Sequence, residues 1–241
     1  MKFIQHYSSS KGNLYEVVAD NGKRLLLECG VTWRLAQKAL NYDLSNIVGC
    51  LVTHEHKDHC RCVRDIQKAG INVYSSTGTS NAMNMEPGHK NYCINSKKRG
   101  WFELWPDKTF NVMGFSANHD AADPLFFVIK ADDEYMLFAP DTSFIKQEFD
   151  FPFSIIAIEC SYDIAILQAR VEAEDINETF AKRLLNSHTE KTVAMKYISK
   201  HCNLEKCREI HLLHMSGDNI DKELVRAQFE RKFFIETTIK K

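Results

Sequence analysis

The sequence predicts a layered α/β protein with two β-sheets flanked by helices, folded as a single domain over residues 1–241. Three observations carry the prediction. Short apolar runs bounded by Gly, Asn, Asp or Ser recur along the chain, as strands do. Helical periodicity falls between those runs. A chain of 241 residues, 44% of them hydrophobic, is long enough to bury the core of one such domain.

Element by element, the first strands are Phe3–Tyr7, Tyr15–Val18 and Arg24–Leu27, with Ser8-Ser9-Ser10-Lys11-Gly12-Asn13 as the first connection. A helix follows over Trp33–Leu40, whose apolar residues sit at 35, 36, 39 and 40. Next come a strand at Ile47–Thr53, a helix at Arg61–Ala69 carrying Val63, Ile66 and Ala69, and a strand at Ile71–Tyr74. The stretch Ser75–Trp105 has little periodicity and holds Gly78, Pro87, Gly88 and Gly100, so it reads as a long functional loop. Strands are then expected at Phe110–Phe115, Leu125–Lys130, Tyr135–Ala139 and Ile155–Ile158. Ile176, Phe180 and Leu184 at four-residue spacing predict a helix over Glu172–Leu185. Ser187-His188-Thr189-Glu190 has the S-x-x-E form of a capping box, which makes Ser187 the N-cap and His188 the first helical residue. Val193, Tyr197 and Ile198 then form the buried face. A strand at Ile210–His214 and a helix at Lys222–Lys232 complete the series.

Composition narrows the function. The formal net charge is −1, so no global basic field advertises a nucleic-acid partner, and a polyanion must be gripped by a local patch or by metal ions. No segment approaches 18 uninterrupted apolar residues, which argues against a membrane span. The start, MKFIQHYSSS, lacks the apolar run of a secretory leader. The eight cysteines are then expected as reduced thiols in the cytoplasm.

The chemistry concentrates in Thr53-His54-Glu55-His56-Lys57-Asp58-His59-Cys60, directly after an apolar strand. Imidazole and carboxylate are the preferred ligands of zinc and similar divalent ions, with manganese or iron also suited. On an extended segment His54 and His56 point to one side and can share an ion. Asp58 and His59 lie past a turn and can address a second.

H-x-H-x-D-H, as His54-Glu55-His56-Lys57-Asp58-His59, resembles the signature of the metallo-β-lactamase superfamily. Leu26-Leu27-Glu28-Cys29-Gly30 resembles that family's turn beneath the site, with Glu in place of the more usual Asp. The resemblance implies an αββα sandwich with further ligands at strand ends, and His119, Asp141 and His214 occur in that order. It implies that His54, His56 and His119 hold one ion, that Asp58, His59 and His214 hold a second, and that Asp141 bridges them. A metal-bridging hydroxide is then the nucleophile, Asp58 a catalytic ligand, and Glu28 a residue that orients a ligand histidine or the loop.

Local details lean toward phosphodiesters. His188, in His-x-x-x-Thr spacing, resembles the His-Thr helix of transfer-RNA 3′ processing endonucleases, which implies a catalytic role in protonating the leaving oxygen. Ser8–Asn13, His119-Asp120-Ala121, Glu159-Cys160-Ser161-Tyr162-Asp163 and His214-Met215-Ser216 resemble the small YycJ/WalJ-like branch, which implies a DNA exonuclease. Lys97, Lys98 and Arg99, followed by Trp101, Phe102 and Trp105, are the candidate substrate contacts, because basic residues beside aromatics can track a backbone and stack bases. The expectation is a metal-dependent nuclease using two divalent ions, zinc foremost. The alternatives are a small-molecule (cyclic) phosphodiesterase and a non-catalytic, metal-stabilised nucleic-acid-binding module.

Overall fold

Runs rich in Leu, Ile, Val and Phe become strands here, and polar segments with capping residues become the helices between them. The computed structural model describes residues 1–86, 88, 90–98 and 100–240. The strands fall into two mixed sheets accompanied by helices, the α/β class that the sequence predicts. By its internal contacts the chain divides into two units, one of Met1–Ser116 with Ala121–Glu134, the other of Ala117–Asp120 with Tyr135–Lys241.

The first unit contains β1 (Lys2–Tyr7), β2 (Leu14–Val18), β3 (Arg24–Leu27), α1 (Trp33–Ala39), β4 (Ile47–Leu51), α2 (Lys57–Cys60), α3 (Val63–Lys68), β5 (Val73–Ser75), α4 (Thr77–Ala82), β6 (Asn91–Cys93), β7 (Phe102–Glu103), β8 (Asn111–Ser116) and β9 (Leu125–Ala131). Strands β1 to β6 lie in sequence order in one sheet. The β1–β2 and β2–β3 pairs are antiparallel, and β3 to β6 run parallel. One face of this sheet is a core of Leu14, Leu26, Cys29, Cys50, Val52, Val63, Ile66 and Val73, all buried. Each such aliphatic side chain contributes roughly 1.5–3 kcal/mol by leaving water. Strands β7, β8 and β9 form an antiparallel run.

The second unit contains β10 (Glu134–Ala139) from Tyr135 on, β11 (Phe149–Glu159), α5 (Ile164–Glu172), α6 (Glu178–Ser187), α7 (Lys191–His201), β12 (Cys202–Asn203), β13 (Glu209–Leu213), α8 (Lys222–Phe233) and β14 (Glu236–Ile239). Strands β10, β11, β13 and β14 are mutually parallel. Parallel pairing puts the carboxyl ends of β10, β11 and β13 on one edge, which brings residues 141, 159 and 214 together.

Three local expectations need correction. The helix expected over Glu172–Leu185 starts late: α5 ends at Glu172, the chain turns through the left-handed Glu174 (φ 59°), and the Asn177 side chain starts α6 at Glu178 by accepting from Phe180 N at 2.8 Å. Ser187 is the last residue of α6 and not an N-cap; Glu190 caps α7, its carboxylate accepting from Thr192 N and Val193 N. A carboxylate directly before the helix supplies the charge that orphan N–H groups favour, and it outcompetes the more distant serine hydroxyl. The stretch 75–105 carries α4, β6 and β7, with α4 capped by Ser76 accepting from Thr79 N at 3.0 Å.

Candidate metal centre

In the first unit, β4 delivers the polypeptide to Thr53, and the next residues turn into α2, with His56 as its N-cap. The His54 and His56 rings meet edge-on at 4.7 Å between centroids, with His54 Nε2 and His56 Nδ1 facing each other at 3.1 Å. Asp58 and His59 lie on α2, and the His59 ring is 4.1 Å from that of His54.

Glu28 organises this group. It is wholly buried and holds a left-handed backbone, φ 64°. Its carboxylate accepts from Thr53 Oγ1 at 2.6 Å and from Thr53 N at 3.3 Å. Thr53 Oγ1 thereby has its proton committed and accepts from His54 Nδ1 at 2.9 Å, leaving Nε2 with the lone pair. His59 Nδ1 lies 3.4 Å from Glu28 Oε1, and its Nε2 faces Asp58 Oδ2 at 3.3 Å and Asn13 Nδ2 at 3.2 Å. Burial raises the Glu28 carboxyl above its ordinary range, and His59 and Thr53 act against that rise.

The glycine after this turn has a steric reason. A Cβ on Gly30 would lie 1.6 Å from the Asp58 carbonyl oxygen, so no other residue fits without moving backbone. Cys29 N donates to His59 O, and Cys62 N donates to Cys29 O. Asn13 completes the seat: its N–H and its Nδ2 both donate to Asp58 O, at 2.8 and 3.0 Å.

In the second unit, Asp141 follows β10, Glu159 ends β11 and His214 follows β13. Asp141, Glu159, His188 and His214 offer ligand atoms within 4.8 Å of one another. Asp141 and His214 have left-handed backbones, φ 27° and 51°. Such conformations cost about 1–3 kcal/mol and persist where surrounding structure enforces them, typically at functional sites. His214 Nδ1 is 3.4 Å from Asp141 Oδ1 and 3.5 Å from Glu159 Oε1. His119 donates from Nδ1 to Ser187 O at 2.9 Å, which turns Nε2 toward Asp141 Oδ2, 3.8 Å away. Burial lowers the His119 pKa.

His188 lies between α6 and α7 in extended backbone, φ −131° and ψ 155°. Its Nδ1 donates to Glu159 Oε1 at 2.6 Å, and its ring stacks 5.3 Å from His214. Glu159 is fully buried, and its other oxygen accepts from Thr142 N at 2.9 Å and Thr189 N at 3.0 Å. Thr189 Oγ1 donates to Thr142 O. Burial alone would lower the His188 pKa and raise that of Glu159; their mutual attraction wins, so His188 is raised and Glu159 lowered.

Lys97 and Lys98 lie exposed in a turn, where Lys97 N donates to Asn95 Oδ1 and Lys98 N to Asn95 O. Arg99 lies outside the described residues. Sequence reasoning missed Asn13, Thr53, Thr142, Thr189 and Glu159 as parts of these groups. Glu159 had a signal: an acid closing the apolar run Ile155–Ile158, the placement that marked His119, Asp141 and His214.

Residues 23–188 match the beta-lactamase superfamily domain, more than half of the chain. The chain belongs to this family. It is 26% identical over 234 residues to exodeoxyribonuclease YycJ of Bacillus anthracis, covering 91% of this chain and 84% of that one. It is 25% identical over 234 residues to exodeoxyribonuclease WalJ of Streptococcus pneumoniae, covering 90% and 82%. The metallo-β-lactamase fold protein YhfI of Bacillus subtilis is similar in structure, with a TM-score of 0.73, 14% identity, and coverage of 99% of this chain and 96% of that one. The protein thus has the metallo-β-lactamase fold of a superfamily hydrolase, with His/Asp clusters suited to divalent metals.

Proposed function

We propose that the protein is a metal-dependent phosphodiesterase, a nuclease acting on DNA in preference to RNA, working as one domain over residues 1–241 in the cytoplasm. In this reading His54, His56 and His119 hold one divalent ion, Asp58, His59 and His214 hold a second, and Asp141 serves both. The donor set fits such ions: imidazoles whose other nitrogen is already committed to Thr53, Glu28 or Ser187, and carboxylates beside them. Zinc suits it best, with manganese or iron also compatible. When bound, two such ions supply an activated water and neutralise charge on a phosphodiester.

The chain's own residues do the rest. The single observation that carries the reading is His188 held at Nδ1 by the buried Glu159 beside Asp141 and His214. A carboxylate behind the imidazole favours its protonated form, and Nε2 is then the atom that can give a proton to a leaving oxygen, which is general acid catalysis. Thr142 N and Thr189 N fix Glu159, and so fix the donor's direction. Lys97, Lys98 and Arg99 are the proposed substrate contacts. The kinship with YycJ and WalJ, both called exodeoxyribonucleases, supports DNA. The eight free cysteines suit a reducing compartment.

The test is a matrix of Zn²⁺, Mn²⁺, Mg²⁺ and Fe²⁺ against end-labelled single- and double-stranded DNA and RNA. Hydrolysis of DNA by the wild type and none by Asp58→Ala is the expected result. Cleavage that survives in Asp58→Ala sinks the reading. The net charge of −1 favours a second one, hydrolysis of a small or cyclic phosphodiester. That reading is selected by turnover of bis(p-nitrophenyl) phosphate with no oligonucleotide cleaved.

A further inference from the structure

We propose that the loop Ser8–Gly12 is a phosphate-binding site that holds the nucleic-acid strand about one nucleotide from the scissile bond; the inference rests on the phosphodiesterase reading above. The loop joins β1 to β2 and folds back on itself, Gly12 N donating to Ser9 O at 3.0 Å and Lys11 N to Ser9 Oγ at 3.2 Å. Gly12, at φ 155°, is pressed against the turn below the site: a Cβ there would lie 2.8 Å from Gly30 O and from Val31 Cγ1.

Asn13 couples this loop to the ligand-bearing segment. Its Oδ1 accepts from Ser9 N at 3.0 Å and from Tyr15 Oη at 3.0 Å. Its Nδ2 donates to Asp58 O and lies 3.2 Å from His59 Nε2. One buried amide therefore sets the serine loop at a fixed place beside Asp58 and His59. Gly12 alone separates Lys11 from Asn13, so their backbones lie at most about 7 Å apart. A charge there is within reach of the phosphate next to the one being cleaved.

The loop's chemistry is that of an anion site. It offers the exposed Ser10 hydroxyl and the Lys11 ammonium and contains no carboxylate, while the N–H groups of Ser9, Lys11 and Gly12 are spent holding the loop in shape. Ser10 and Lys11 are exposed. Among the described residues no acid pairs with the Lys11 ammonium, although the chain has 32 acidic residues. Arg24 pairs with Glu16, Lys23 with Asp107, and Lys90 donates to Gly70 O, whereas Lys2 and Lys38 have no acid partner among the described residues; what distinguishes Lys11 is its place on the loop that Asn13 fixes beside Asp58 and His59. A lysine left to water above a tightly held loop is placed for a phosphate, which a point charge binds without a demanding geometry.

The experiment measures binding without turnover. Full-length protein in excess chelator is titrated with a fluorescent single-stranded oligodeoxynucleotide at several salt concentrations, as wild type, Lys11→Ala, Lys11→Arg and Lys38→Ala. Lys38 is an exposed lysine on α1 and controls for net charge. A lysine on one phosphate contributes about 0.7 to the slope of log K against log salt. The expected result is a slope shallower by about 0.7 and several-fold weaker binding for Lys11→Ala, recovery for Lys11→Arg, and a wild-type slope for Lys38→Ala. A Lys11→Ala slope equal to wild type, an equal loss in Lys38→Ala, or no binding by the wild type overturns the proposal. Absence of hydrolysis in the metal matrix overturns the phosphodiesterase reading on its own, since no arm of this titration requires cleavage.

Discussion

His188 shows how one residue's role depends on what lies behind it. Its ring touches His119 and His214, and its Nδ1 is committed to Glu159, so Nε2 is the only nitrogen with chemistry left to do. His188→Ala should lower kcat on DNA by about 10²–10⁴, the usual range for a lost general acid, with KM little changed. Metal content per chain, read by elemental mass spectrometry, should stay at the wild-type value, because His188 belongs to neither proposed ligand set. Loss of metal together with activity would reassign His188 as a ligand. Glu28 works by the same logic one step further from the chemistry, holding His54 through Thr53 and facing His59 directly.

At the scale of elements, β1, β2 and β3 are cross-linked by one carboxylate. Glu16 on β2 is buried between His6 on β1, 2.8 Å away, and Arg24 on β3, which donates from Nε. Burial by itself would raise the Glu16 pKa, but His6 and Arg24 together lower it below 4.5. A group with a depressed folded pKa stabilises the fold above its unfolded value, and that contribution is lost as pH falls through the folded one. Wild type should therefore exceed Glu16→Gln in urea stability at pH 6–7, and the gap should close as pH drops below 4.5. A constant gap across that range would show that packing, and not the charge, is what the substitution removes. Legibility follows the same division between strong local patterns and tertiary choices. β3 and the start of α1 are where the apolar runs put them, since burial dictates both. The break between α5 and α6 was illegible because periodicity continues across it, and only the Asn177 cap and the Glu174 backbone reveal it. The ligand-like histidines and aspartates stood out by spacing, whereas Glu159, Thr142 and Thr189 acquire meaning only once β10, β11 and the α6–α7 connection meet.

For the molecule as a whole, the concentration of ionisable groups has a thermodynamic consequence. Five histidines and four carboxylates (Glu28, Asp58, Asp141 and Glu159) crowd the two groups described, at His54, His56, His59, His188 and His214, with His119 adjoining the second. Ions that bind only the folded chain stabilise it by about 4 kcal/mol at a thousand times their Kd. Thermal unfolding followed by calorimetry should therefore shift upward when Zn²⁺ is added to chelator-treated protein, and the shift should be smaller in His54→Ala, which removes a ligand of one ion only. An equal shift in that variant would place the stabilising ion elsewhere. Among the described residues no helix is long and apolar enough to cross a membrane.

The near-contact of Gly30 with the Asp58 carbonyl bears on protein engineering. The H-x-H-x-D-H segment is not a portable cassette. Transplanting it into a foreign scaffold means carrying the Glu28-Cys29-Gly30 turn and the amide of Asn13 as well, three pieces far apart in sequence that behave as one part.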